Sequence, residues 1–141
     1  MIVDLTKDPF RILSLYIPTT AVYKNVNFRY AYTAYIAAKC KNDRDLEKFV
    51  ELTPTEACNL IHTVEINEDF DSIKWLVLKE IFVNRMNENK IVKKVLKETC
   101  LEPIYNFCDF DSDLGICKKT FIGNNLVGCV WEEIRKETFY D

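Results

Sequence analysis

Turn-forming residues are scarce in this sequence, with three glycines and four prolines in 141 positions. An all-β sandwich or barrel needs a tight turn about every 8–12 residues, so that class is excluded. There is one histidine, His62, and no C-x-x-C pair among the six cysteines (Cys40, Cys58, Cys100, Cys108, Cys117 and Cys129). A zinc site would lack any local ligand pair, so no metal is expected. Glycine loops that cradle phosphates, G-x-x-x-x-G-K or G-x-G-x-x-G, are absent. No window approaches the ~20 uncharged apolar residues that span a bilayer. The first residues carry Asp4, Lys7, Asp8 and Arg11 among apolar ones, unlike a signal or transit peptide. The expectation is a cytoplasmic protein with reduced thiols and no membrane partner. An excess of one charge is also missing. With 19 basic and 22 acidic residues the net charge is −3. That excludes a general polyanion-binding surface but not a small basic pocket.

The remaining composition, 48% hydrophobic, 13% aromatic and 29% charged, excludes disorder. A chain this long buries roughly 68–70% of its extended surface, enough for a core without staples. No repeat or linker interrupts it, and residues 1–141 are expected to form a single domain. Residues 1–26 read as extended, with Val22, Tyr23 and Val26 around Lys24-Asn25 suiting a short hairpin. From Phe28 the apolar spacing becomes helical, through Ala31, Tyr35 and Ala38. Asp43 is placed to cap a second helix through Leu52. Thr53-Pro54-Thr55-Glu56 has the residues of a capping box with proline at the first helical position. Asp71 or Ser72 opens a longer helix to about Met86, which apolar residues nearly encircle. Ile91, Val92, Val95 and Leu96 then form a stripe opposite Lys90, Lys93, Lys94 and Lys97. Residues 101–122 read as loop, and Asn124 or Asn125 caps a last helix carrying Val127, Val130, Trp131 and Ile134. The predicted fold is mainly α, a compact multi-helical domain with a short extended or hairpin N-terminal segment. Its predicted core includes Tyr35, Trp75, Ile81, Phe82, Leu96 and Val130.

Residues of the kind that carry chemistry are few. Asp109, Asp111 and Asp113 alternate as in a calcium loop. Leu114 and Thr120, however, stand where such a loop needs glycine and a bidentate glutamate, so the reading is a solvated acidic turn. His62 has no local acid and nucleophile to work with. The lysines from Lys90 to Lys97 read as the wet face of a helix, without the interleaved aromatics that stack bases.

Five segments in order resemble the NADAR (YbiA-like) family. Leu13-Ser14-Leu15-Tyr16-Ile17-Pro18 is similar to its LSNFYP-type opening. Tyr32-Thr33-Ala34-Tyr35-Ile36-Ala37-Ala38-Lys39 resembles its E-H-A-Y-Q-A-A-K helix, and Thr53-Pro54-Thr55-Glu56-Ala57 its S-P-x-E-A helix start. Asp111-Ser112-Asp113-Leu114-Gly115 is similar to its D-x-Y-W-G segment. Gly123-Asn124-Asn125-Leu126-Val127-Gly128 with Glu133-Ile134-Arg135 resembles its closing G-x-N-x-L-G…E-x-R helix.

The resemblance implies a small helical N-glycosidase that cleaves ribosyl–nitrogen bonds or removes ADP-ribose from modified guanine bases. That chemistry passes through an oxocarbenium-like ribose, which a carboxylate stabilises and an amine can capture as an aldehyde. Carried over by position, Lys39 and Asp111 are the implied catalytic residues, and Tyr35, Gly115 and Asn125 the implied ligand-binding ones, with no cofactor. Tyr32 and Asn106 stand where the family has glutamates, Leu15 where it has an amide, and Leu114 where it has tryptophan. The expectation is therefore a NADAR-like domain that binds an ADP-ribose-like or nucleotide ligand, or a partner protein, with its catalytic acids lost. One alternative is an active N-glycosidase acting on ADP-ribosylated nucleic acid, as in phage counter-defence against a host. The abundance of Lys, Asn and Ile suits an AT-rich phage or parasite genome. The other alternative is a helical protein-interaction module.

Overall fold

A computed structural model describes residues 2–141. Among them are five α-helices, α1 (Ala31–Ala37), α2 (Pro54–Leu60), α3 (Phe70–Glu88), α4 (Lys90–Glu98) and α5 (Leu126–Arg135). Four short strands accompany them, β1 (Val3–Asp4), β2 (Ala21–Tyr23), β3 (Val26–Phe28) and β4 (Ile104–Tyr105). The fold is mainly α, as predicted, and none of the described helices is long and apolar enough to cross a membrane. The chain divides into two compact units. One is Leu15–Arg85, and the other combines the residues up to Ser14 with Met86–Asp141.

In the Leu15–Arg85 unit, β2 and β3 pair antiparallel with Ala21 opposite Phe28 and Tyr23 opposite Val26. Lys24 and Asn25 turn the chain between them with φ of 49° and 63°. Two consecutive left-handed residues match the right-handed strand twist of a two-residue hairpin. Lysine is an uncommon choice there, and side chains hold it. The Lys24 N–H donates to Glu80 Oε2 at 2.8 Å, and its ammonium meets Asp43 at 3.0 Å. The segment that begins at Asp43 departs from expectation. Residues Asp43–Phe49 form a 3₁₀ helix rather than an α-helix, and no side chain caps it. Asp43 is engaged by Lys24 instead.

Helix α1 is buried along its whole length. Its alanines, Ala31, Ala34 and Ala37, are fully buried and bring the backbone close to its neighbours. Helix α2 starts on the expected capping box. The Glu56 N–H donates to Thr53 Oγ1 at 3.2 Å, and the Thr53 N–H to Glu56 Oε1 at 3.0 Å. Helix α3 buries Ile81 and Phe82 completely, but Trp75 is half-buried and Leu76 is 65% exposed, so it is not sheathed all round.

The other unit is pinned by a parallel pair. β1 lies beside β4 with Val3 opposite Ile104, and the Trp131 indole N–H donates to the Leu13 carbonyl at 2.9 Å. Two-residue strands have no period to read, so β4 was invisible in the loop-like sequence of 101–122. Helix α4 is capped by Asn89, whose side chain accepts the Ile91 N–H at 2.9 Å. It buries Val92, Val95 and Leu96 of the predicted stripe, whereas Ile91, at the start of the helix, is exposed. Arg135, buried on α5, donates to Thr99 Oγ1 at 3.0 Å and to the Glu102 carbonyl at 2.7 Å. After α5 the chain continues as a π-helical turn, Lys136–Tyr140.

Candidate functional site

Tyr35 and Lys39 come together at the end of α1, because one helical turn stacks them on the same face. Tyr35 and Phe70 are both buried and meet edge-on with ring centres 5.3 Å apart. The Lys39 ammonium lies 5.9 Å from the Tyr35 ring centre and 5.6 Å from that of Phe70. Ring faces attract a cation, so the two aromatics orient the amine without neutralising it. Among the described residues Lys39 has no ion-pair partner. Its backbone is fixed as well, since the Lys39 carbonyl accepts the Asn67 N–H at 2.8 Å. Phe70 is a member of this cluster that no sequence signal marks, being distant in the chain and outside any motif.

Tyr32 stands one turn before Ile36 on the same helix. Its ring packs on Tyr16 with centres 5.2 Å apart, and its hydroxyl accepts a weak bond from the Cys58 thiol at 3.9 Å. The position where the family resemblance places a glutamate thus carries a neutral phenol with internal partners. Nearby, Cys40 is pushed up to about 11 by burial, with Asp45 adding to the effect.

A second cluster is built where Asp111, Gly115 and Asn125 converge in the other unit. Asp111 Oδ1 accepts the N–H groups of Asp113 and Leu114, each at 2.9 Å, and its carbonyl accepts the Gly115 N–H at 3.0 Å. The acidic run is thus a self-capped turn. Asp113 Oδ1 in turn accepts from the Asn124 side chain at 2.9 Å. Asp111 Oδ2 has no hydrogen-bond partner among the described residues.

Gly115 leaves no room for a side chain. A Cβ there would lie 2.6 Å from Cys108 Cβ and 2.8 Å from the Asn106 carbonyl oxygen. The Gly115 carbonyl accepts the Asn125 N–H at 3.0 Å, which seats the start of α5 on the loop. Asn125 is left-handed, with φ of 50°, and makes no cap bond into its own helix. Its Oδ1 accepts the Asn106 N–H at 2.8 Å and its Nδ2 donates to the Ile104 carbonyl at 2.9 Å. The carboxamide is therefore committed to the backbone of β4 and the residue after it. Asn106, in the second position where the resemblance places a glutamate, is buried and donates to the Leu114 carbonyl at 3.2 Å. Leu114, where the resemblance has a tryptophan, is fully buried.

An aromatic group borders this loop. Tyr105 and Phe107 stack with centres 5.4 Å apart, and Phe121 meets both edge-on. Lys118 lies 5.4 Å above the Phe107 ring and 3.4 Å from Asp4 Oδ2. Burial alone would raise the Asp4 carboxyl. Bonds from the Thr6 hydroxyl and N–H, with Lys118, outweigh that and hold it below its ordinary value.

No family model matches the sequence, and no curated protein is significantly similar to it. Among solved structures, that of the E. coli protein YbiA is similar, with a TM-score of 0.82. The likeness covers 97% of this chain and 84% of that one, at 15% sequence identity. At that identity it establishes architecture, and the architecture is the one the five sequence segments implied: the chain has a YbiA-like fold.

Proposed function

We propose that this chain is a NADAR-like domain that binds an ADP-ribose-like or nucleotide ligand without turning it over. The observation that carries this reading is the Lys39 ammonium, oriented by Tyr35 and Phe70 and not paired to any carboxylate. A buried-edge cation of that kind is a ready partner for a phosphate oxygen, with the Tyr35 and Phe70 rings limiting its swing. Cleaving a ribosyl–nitrogen bond needs an acid or carboxylate to carry the developing charge. Tyr32 and Asn106, at the two implied acid positions, are neutral and occupied by internal contacts. Gly115 and Asn125 act on this reading as positioning residues that set the 109–115 loop.

One observation favours the catalytic alternative. Asp111 keeps one carboxylate oxygen without a hydrogen-bond partner, on a turn rigid enough to present it. Titration calorimetry with ADP-ribose, paired with a chromatographic assay for release of ADP-ribose from ADP-ribosyl-guanine, separates the two. The expected result is saturable binding that Lys39→Ala weakens at least tenfold, with no turnover. Turnover that Asp111→Ala abolishes would replace this reading with the glycosidase. Absence of both binding and turnover would leave a protein-interaction module.

A further inference from the structure

The charges on helix α4 run against the rules of helix stability. Lys90 occupies its first position and Lys93 its first turn, where the helix dipole disfavours cations. Lys90, Lys93, Lys94 and Lys97 are spaced three and four apart, so like charges face one another. Half of the ten lysines outside α4 are visibly paired. Lys24, Lys41, Lys48, Lys74 and Lys118 each meet a carboxylate within 4 Å. None of the four α4 lysines has an ion-pair partner among the described residues. Local rules broken together and left uncompensated mark a functional surface.

The same four lysines line a groove of about 470 Å³ whose apolar members are Met86 and Phe139. No carboxylate is among its lining residues. Phe139 arrives from the π-helical turn after α5, which the lysine spacing alone does not reveal. The helix face is wet and carries no aromatic of its own, as the sequence implies, and the ring beside it comes from another segment.

We propose that this groove binds a short stretch of single-stranded nucleic acid, with phosphates on the α4 lysines and a base against Phe139. Seven residues of helix place Lys90 and Lys97 about 10 Å apart along the axis, which suits roughly two or three consecutive phosphates. A cationic track beside an aromatic ring is the combination that holds single strands irrespective of sequence. An acidic peptide would satisfy the lysines but gains little from a lone ring, so the aromatic member favours the nucleic acid. The groove shares no residue with Tyr35, Lys39, Asp111, Gly115 or Asn125, and the proposal stands apart from the ADP-ribose reading.

Fluorescence anisotropy of the full chain with a labelled ten-nucleotide oligothymidine tests it. Binding should weaken about tenfold to twentyfold between 50 and 200 mM salt, the slope of roughly three phosphate contacts. Lys93→Gln with Lys97→Gln should cost at least tenfold, and Phe139→Ala about fivefold or more. If Phe139→Ala fails to fold, Phe139→Leu tests the ring with packing retained. Lys119→Gln, which removes one charge outside the groove, should leave binding unchanged. No binding at 50 mM salt overturns the proposal. So does an equal loss from Lys119→Gln, or full strength in the Phe139 variants. Equal competition by hexaglutamate would assign the groove to an acidic protein segment instead.

Discussion

Asn125 Oδ1 accepts the main-chain N–H of Asn106 at 2.8 Å, and the other end of the same carboxamide serves the carbonyl of Ile104. All three groups are buried, so truncation leaves two backbone groups without partners. Each orphaned group costs about 1–3 kcal/mol, and an alanine held left-handed adds about 1 more. Asn125→Ala is expected to lose about 3–7 kcal/mol, measured by urea unfolding.

Gly128 lies against the same strand. Any Cβ there would collide with the Ile104 carbonyl oxygen and come within 2.5 Å of Asn125 Nδ2. Alanine ordinarily gains about 1 kcal/mol over glycine inside a helix. Here the collision is with backbone, which cannot swing away, so Gly128→Ala should be destabilising by about 2 kcal/mol or more in the same assay.

The α4 lysines yield a prediction of opposite sign. Lys94→Glu would place an acid four residues after Lys90 and three before Lys97. Two repulsive pairs become attractive while the pair with Glu98, four residues on, turns repulsive, so the free protein should gain a net of about 0.5 kcal/mol in low salt. Thermal unfolding would register the gain, while oligothymidine binding falls. A stabilising change that removes binding is the pattern expected where a surface is kept for function.

Asp4 sets a pH dependence. Its carboxyl is held below its ordinary 3.8, so the folded state binds fewer protons than the unfolded state across that window. Its contribution is therefore complete above pH 3.8 and lost as pH falls through the lower folded value. The stability difference between the protein and Asp4→Asn should be constant from pH 7 to about 5 and shrink below 3.8.

Thiol reactivity should be graded by surroundings. The Thr120 hydroxyl, then the N–H groups of Thr120 and Lys119, lower the Cys117 thiol, whereas burial raises Cys40 to about 11 and also raises Cys129. Since the thiolate is the nucleophile, iodoacetamide at pH 7.5 should label Cys117 ahead of both. Peptide mass mapping reads the order, and Thr120→Val should slow Cys117 alone.

What the sequence disclosed follows from how local each signal is. The hairpin at Lys24-Asn25 and the capping box at Thr53–Glu56 depend on residues at most three apart, and both formed as predicted. Three of the four stripe residues on α4, Val92, Val95 and Leu96, are likewise set by one helical period, while Ile91 at the helix start is exposed. Asp43 is not a cap, because the 3₁₀ helix starts one residue earlier than expected, with Asn42 at the N-cap position, and Asp43 pairs with Lys24, 19 residues earlier. The partners of Lys39 and of the α4 lysines, Phe70 and Phe139, come from distant segments, and no periodicity links them. Asp111 and Gly115 were identified by motif resemblance. Their physical task, a self-capped turn seating α5 through Asn125, could be seen only once the backbone was in place.

The pairing of β1 with β4 also bears on the order in which the molecule can assemble. The Leu15–Arg85 unit is continuous, and its contacts are available once its last residue has been synthesised. The other unit is closed by Val3 meeting Ile104 and by Leu13 receiving the Trp131 indole, so its first residues must wait for its last. Contacts separated by a hundred residues or more form late, since a long loop must be closed before they repay it. During translation the N-terminal segment therefore emerges with Val3, Leu5 and Leu13 uncovered, while the continuous unit can fold behind it. A ribosome pause before Trp131 would prolong the interval in which those side chains are available to a chaperone.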